Sequence, residues 1–597
     1  MNRARVTHRV VVAALGLAVF AACMSACGDD RGGFEHRTDT FDGDASIDAP
    51  ECGFQCSLDG RSIIEACTGR VVETCPPELA CGAATCLDPC AAAAADRSSN
   101  GCEFYFQPPV FSDIIAPGCF ASYIVNTSIQ PVEPSLELEG KPLDISNAMF
   151  RMTPGSAALT RHTGPIAPGD SVVVFLSDAS PELSSTLGAY PFYAPCPSGV
   201  VPATFSAWPS GGTKIGSSFQ LRTNVPVAVT TIYPFGGASS LVPSATLLLP
   251  VAMWAKENII VNGWEASPDD APGAQVVASE DDTEVTIIPT RDIQDGEGVK
   301  GSRALRPATY RLGKGQHLQL VQGQELTGSI VSSSKPTTVF GGHGCADIPS
   351  TAYACDILFQ QIPAFEKWGF EYVGVGYRPR TGNEHEAVPY RIVAARDGTR
   401  LDYDPAIPPG APTTMNAGEV ATFRSGTGDA FVVRTQDAEH PIYLSAHMTG
   451  GSGDAHAAKD FADRGDPEFV NVVPAGQYLN SYSFFADPTY AETSLVVVRA
   501  KTGSEFRDVW LECAGQLTGW KPVGTRGSYE WVRVDLSRNK GPGDTFGTSV
   551  CQHGLQRMRS EGPFTATVWG WDRHASYAYP GGMAQRKLVE SPLLPIR

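Results

Sequence analysis

Residues Lys335–Tyr377, KPTTVFGGHGCADIPSTAYACDILFQQIPAFEKWGFEYVGVGY, decide how the rest of the chain is read. Thr337–Phe340 predicts a short strand, Gly341-Gly342 a turn, and Cys345 with Cys355 a loop closed by a disulfide. An apolar Gln360-Gln361-Ile362-Pro363 segment and a strand entered through Trp368-Gly369 follow. Weaker copies lie on either side. Phe219–Val229, ending in Gly236-Gly237, and Phe431–Leu444, ending in Gly450-Gly451, repeat the first element. Their prolines, Pro226, Pro336 and Pro441, stand roughly 110 residues apart, as a tandem array requires. A second element follows each: Leu249-Pro250 before Trp254, Ile362-Pro363 before Trp368, and Val473-Pro474 before Tyr478. A third is a hairpin, Val277–Val285 around Asp281-Asp282 against Val393–Leu401 around Asp397-Gly398, with a fainter copy at Val497–Gly503.

Phe564–Trp571, followed by Ser576–Gly582, is one more copy of the first element. Recurrence of three elements in one order predicts an all-β fold of tandem antiparallel units of about 110 residues. Two arrangements stay open, a propeller-like closed array and a string of β-sandwiches; partial copies at both ends favour closure. Proline should confine its strand to an edge or an entry position, and the glycine pair should make a turn with positive φ. The aromatic residue after the second proline should pack between units.

Composition agrees with strands and turns. The 597 residues hold 61 Gly and 46 Pro, with 42% hydrophobic content for packing. A net charge of -19 argues against a nucleic-acid partner, which needs clustered Lys and Arg, and disfavours electrostatic adhesion to anionic lipid.

The N-terminus has the pattern of an export signal: Arg3, Arg5 and Arg9, then an apolar run Val10–Ala22 too short to span a bilayer comfortably. Met24-Ser25-Ala26-Cys27, followed by Gly28, Asp29 and Asp30, resembles a lipobox, which makes Cys27 the expected lipidation site. Cys23 is a second possibility, and a plain secretory signal the alternative. The expected divisions are a signal peptide at 1–26, an acidic linker at 27–51, a disulfide module at 52–102, an N-terminal β region at 103–218 and the repeat domain at 219–590. Setting aside Cys23 and Cys27 leaves an even number of cysteines, as an oxidising compartment favours. Cys52, Cys56, Cys67, Cys75, Cys81, Cys86, Cys90 and Cys102 crowd into the module; a zinc site there is the rival, but no Cys-x-x-Cys pair occurs. By proximity the rest pair as Cys119 with Cys196, Cys345 with Cys355 and Cys513 with Cys551.

Motifs with a chemical look have plainer readings. Asn383-Glu384-His385-Glu386 lacks the second His of a metalloprotease helix. His343 has no marked serine partner, since no Gly-x-Ser-x-Gly elbow occurs. Arg464-Gly465-Asp466 spells an adhesive tripeptide in an acidic loop. Asp281, Asp282, Asp356 and Asp397 would serve a glycosidase pair, but Asp281 and Asp397 recur at matching repeat positions and are better turn-formers. No catalytic residue, metal site or cofactor is expected.

With those residues in view, Phe219–Gly582 resembles the N-terminal domain of IgGFc-binding proteins. The likeness rests on Ser244-Ala245 with Leu249-Pro250, Ser279–Thr283, Leu326–Ser329 before Lys335-Pro336, Gly341-Gly342, Cys345, Cys355-Asp356, Gln360–Pro363, Trp368-Gly369, and Ser576-Tyr577 with Gly581-Gly582. With the signal, the arrangement resembles bacterial cell-envelope lipoproteins carrying this domain. That implies a non-catalytic binding or adhesion module for a protein or glycan, held by lipid, on the outer membrane of a Gram-negative cell. An exported hydrolase and a purely structural envelope component are the alternatives.

Overall fold

The computed structural model describes residues 53–596, apart from Leu58, Cys67, 111–117, 188–192, 207–210, 268–269, 353–354 and 452–460. The expected signal, Cys27 and the linker lie outside the described residues, as do Cys52 and Cys67. The regular structure of the rest is almost entirely strand. No helix of the described residues is long and apolar enough to cross a membrane.

The repeat is a two-sheet unit threaded by one long strand, and there are four of them. In unit I the second half of Phe219–Tyr233 pairs with Ser244–Leu247 on one side and Phe120–Asn126 on the other. Its first half pairs with Gly101–Phe106 and Pro134–Leu138. Unit II repeats this around Ile330–Ala346, with Asp356–Ile362 and Pro272–Ala278 on the second half and Ala255–Ile259 and Thr283–Ile288 on the first. In unit IV the long strand is Gly554–Asp572. In unit III it is broken into Phe431–Thr435 and Ile442–Met448, each serving its own sheet. Residues 103–218 supply most of unit I, so the expected break at 218/219 falls inside one sheet.

The prolines explain how one strand serves two sheets. Pro226, Pro336, Pro441 and Pro563 each sit where pairing passes from the first sheet to the second. A residue without an N–H fits where neither ladder needs a donor.

The innermost strands close a ring. Ser244–Leu247 packs against Asp356–Ile362 and Ala575–Pro580, and Glu468–Asn471 packs against the same two. Gln360 marks the axis, its Nε2 donating to the carbonyls of Ala245 (2.8 Å), Phe469 (3.0 Å) and Ala578 (3.0 Å), one on each of the other three. The ends of the array also meet: Ser99 N–H donates to the Met583 carbonyl and Gln585 N–H to the Arg97 carbonyl. The arrangement is a closed, propeller-like ring of sandwich-like units, which joins the two expected alternatives.

After each of the first three inner strands comes a 3-10 turn, Val251–Met253, Phe365–Lys367 or Ala475–Gln477, and then Trp254, Trp368 or Tyr478. All three aromatics are buried. The indole N–H of Trp254 donates to the Leu249 carbonyl and that of Trp368 to the Pro363 carbonyl, both at 3.0 Å. Upstream, the helix Pro89–Asp96, capped by Asp88, carries the alanine run of the disulfide module. Among the described residues the bonds there are Cys56–Cys81, Cys75–Cys86 and Cys90–Cys102. In the ring they are Cys119–Cys196, Cys345–Cys355 and Cys513–Cys551.

The glycine pair corrects one expectation. Gly236 and Gly237 do turn with φ of 134° and 61°. Gly341 and Gly342, however, lie inside the long strand opposite Gln360 and Phe359. A Cβ on Gly341 would stand 1.6 Å from the Val261 carbonyl oxygen, and one on Gly342 2.0 Å from that of Leu358. These glycines permit close backbone approach and make no turn.

Candidate functional site

The axis gathers the most unusual chemistry. The inner strands and their entries bring together Ser244, Asp356, Asp466, Glu468 and Ser576, all buried. Ser244 Oγ donates to Glu468 Oε1 (3.2 Å), which also accepts the Phe469 N–H (2.8 Å). Ser576 Oγ accepts the Asp466 N–H at 2.9 Å, tying the third unit to the fourth. Burial pushes the Asp356 carboxyl well above its ordinary range, and the charges of Asp466 and Glu468 push it further. Burial likewise raises Asp466 and Glu468. Among the described residues no three His, Cys, Asp or Glu side chains are arranged to hold a metal ion.

Beside the axis the tripeptide Arg464-Gly465-Asp466 is internal hardware. Arg464 Nη1 donates to the Arg380 carbonyl (2.9 Å), and the Gly465 N–H to that of Asp572 (2.8 Å). Asp466, buried, presents nothing to a receptor. Arg380, with no exposed side-chain surface, pairs with Glu386 (2.7 Å), donates to Thr449 Oγ1 (2.6 Å), and stacks 3.7 Å from Phe461. Glu386 also accepts the Tyr377 hydroxyl at 2.8 Å. So of Asn383–Glu386, Glu386 is a core ion-pair partner, Glu384 pairs with Arg533 (2.9 Å), and His385 faces solvent against Asp429 (3.1 Å).

His343 is buried, and its Nδ1 accepts the Cys345 N–H at 3.1 Å. Burial holds its imidazole down at about 3, hence neutral. Read along the chain, the copies on either side lack a histidine at this place. Strand register shows otherwise for unit III: His343 faces Leu358 and His447 faces Phe469, each five residues before the proline that ends its inner strand. His447, also lowered to about 3 by burial, donates through Nε2 to the Gly263 carbonyl at 3.0 Å. The 345–355 loop packs inward as well: the Ile348 carbonyl accepts the Gly450 N–H, and Ser350 Oγ accepts the Trp264 indole N–H at 2.9 Å. Asp281 and Asp397 each accept a backbone N–H from a neighbouring turn, of Lys314 (2.9 Å) and Ala417 (3.1 Å), as turn-formers do.

Two open clefts are built, His385 apart, from residues that motif reading passed over. One, about 200 Å³, lies between units I and II; Gln107 donates to Gln275, which donates to Gln319, while Ser218 bridges Gln107 and His317. Those groups satisfy one another. The other, about 370 Å³, opens in unit III beneath the Pro405–Pro412 loop, lined by Ile407, Ala387, Ala430, Phe431, Arg424 and the His385–Asp429 pair. The signal available for it was the proline run itself, with Ile407 in its middle.

A model of the IgGFc binding protein family matches residues 244–570, more than half of the chain. The chain belongs to that family. The match begins on the inner strand of unit I and ends in the long strand of unit IV, so most of unit I, though built alike, lies before it. The human IgGFc-binding protein is 27% identical over 222 residues, 36% of this chain and 4% of the relative. The chain thus spans only a small part of the length of that family member.

Proposed function

We propose that this chain is a lipid-anchored cell-envelope protein whose ring of β units is a non-catalytic binding or adhesion module for a protein or glycan. One observation carries the binding part. The groups that catalysis would recruit, the axial carboxyls, His343, His447 and Arg380–Glu386, are all buried. What faces solvent instead is a shaped cleft. Membership of a family named for binding supports the same reading. The envelope location rests on the basic, apolar and Cys27 pattern at the N-terminus. Two measurements on the full chain test it. Cys27→Ala should release the protein from the membrane fraction, and unchanged retention refutes an anchor at that residue. Pull-down from envelope extracts, run beside a glycan array, should return a retained ligand. Turnover of a glycan or peptide substrate would replace the binding reading with a hydrolase.

A further inference from the structure

We infer that the unit III cleft is a binding pocket for an apolar residue that carries a carboxylate, presented by a protein partner. The cleft's volume of about 370 Å³ lies within the range of small-ligand pockets. Its walls are apolar: Pro405, Ala406, Ile407 and Pro409 on the loop, Ala387 and Phe431 on the strands. Ile407, 55% exposed, stands on that apolar wall and is open to a ligand.

The loop is held before any ligand arrives. Asp404, at its root, accepts the Thr525 hydroxyl (2.8 Å) and the backbone N–H groups of Thr525 (2.9 Å) and Arg526 (3.1 Å) from unit IV. The Tyr403 hydroxyl donates to the Pro412 carbonyl (2.9 Å), and the Arg424 N–H to that of Pro409 (3.3 Å). A wall fixed at both ends loses little freedom on binding, which is how preorganisation raises affinity.

Charge sets the second half of the ligand. The Arg424 guanidinium lines the cleft and makes no ion pair or side-chain hydrogen bond with the described residues. In a chain of net charge -19, an exposed arginine left unpaired beside an apolar wall favours an anionic group on the ligand. The other ionic groups at the rim, His385 and Asp429, pair with each other at 3.1 Å. Ser425 Oγ is taken by the Asp429 carbonyl (2.7 Å). Arg424 faces Pro389 in strand register, two residues along from the Gly426–Ala387 pair that also lines the cleft. So few uncommitted polar groups suit a polyol poorly and an apolar side chain with one carboxylate well.

This deepens the binding reading above and rests on it. The test uses the full chain and two probes that differ only in charge, N-acetyl-leucine and N-acetyl-leucinamide, titrated by calorimetry and methyl NMR. The acid should bind at least tenfold tighter than the amide and shift the Ile407 and Ala430 methyl signals. Arg424→Gln, at an exposed position, should erase the discrimination, and Ile407→Asp should abolish binding of both. Equal binding of acid and amide, or an Arg424→Gln variant that still discriminates, overturns the proposal. So does preferential binding of N-acetylneuraminic acid, which would assign the cleft to a sugar acid. If pull-down returns a ligand while both leucine probes fail, the cleft alone is lost. If the acid binds through Arg424 while pull-down returns nothing, the pocket stands without the envelope ligand.

Discussion

At the residue scale the axial carboxyls carry a pH dependence whose sign follows from burial. Asp356 titrates in the folded ring well above its ordinary value, through burial and then the charges of Asp466 and Glu468. An unfolded chain releases that proton at about pH 4, whereas the folded one keeps it. Between the two values the folded state binds more protons, so stability falls as pH rises. His343 and His447 act oppositely at the acid end, because folded they are neutral down to about pH 3. Their contribution is complete once pH passes about 6.5, which leaves the range above neutrality as the window in which the carboxyls show. The wild-type melting temperature should fall across that window. Asp356→Asn should flatten the fall and melt higher than wild type at pH 8, with Asp466 and Glu468 sustaining a residual slope. Identical slopes from thermal melts would remove Asp356 as a titrating contributor. None of this was legible in the sequence. In sequence Asp356 offered itself as one of four possible glycosidase carboxylates, since only ring closure brings it beside residues 110 positions away.

Elements were far more legible, and the reason is local. Pro followed by a 3-10 turn and an aromatic recurs because each unit must leave its inner strand by the same path, and proline and a large ring leave a strong trace in sequence. The strand pairings of the third unit, by contrast, hid the His343–His447 correspondence. A one-residue difference in spacing after Pro336 and Pro441 is invisible without a partner strand to count against. Gly341 was misread for a related reason: a turn and a crowded strand both call for glycine, and only the Val261 carbonyl tells them apart. The Arg424 cleft escaped altogether, since its walls come from a loop and two sheets. For the legible device, a substitution series separates packing from hydrogen bonding. Trp368 is buried against Phe365 and Tyr443. Trp368→Ala should destabilise by about 3–5 kcal/mol through the cavity it leaves. Trp368→Phe should cost less while still losing the bond to the Pro363 carbonyl, worth about 1 kcal/mol. Denaturant melts showing both variants within about 0.5 kcal/mol of wild type would mean that the turn, and not the ring, fixes this passage.

For the whole molecule the question is whether closure contributes stability or merely describes where the ends lie. Units I and IV meet through more than their termini: the Tyr123 hydroxyl donates to Asp487 at 2.6 Å, and Tyr123 stacks on Phe485 with centroids 4.6 Å apart. The last link is the short ladder between Ser98–Ser99 and Met583–Gln585, in which Ser99 and Met583 exchange hydrogen bonds; just beyond it Gln477 Oε1 of unit III accepts the Arg586 N–H at 2.9 Å. An open array of repeats gains from each nearest-neighbour interface and unfolds from its ends, whereas a closed one has no free end from which to start. A chain ending at Pro580 keeps every inner strand but removes that ladder together with the tail behind it, whose Val589 is buried in one cluster with Phe365 and Trp368 and whose Ser591 hydroxyl accepts from Arg396. It should therefore unfold less cooperatively, with a lower denaturant m-value and early exposure of unit I or unit IV to protease, while a Cys27→Ala control of full length unfolds as one transition. If the shortened chain instead unfolds at the same midpoint with the same m-value, the interfaces between units hold the ring by themselves and the terminal ladder is incidental to it.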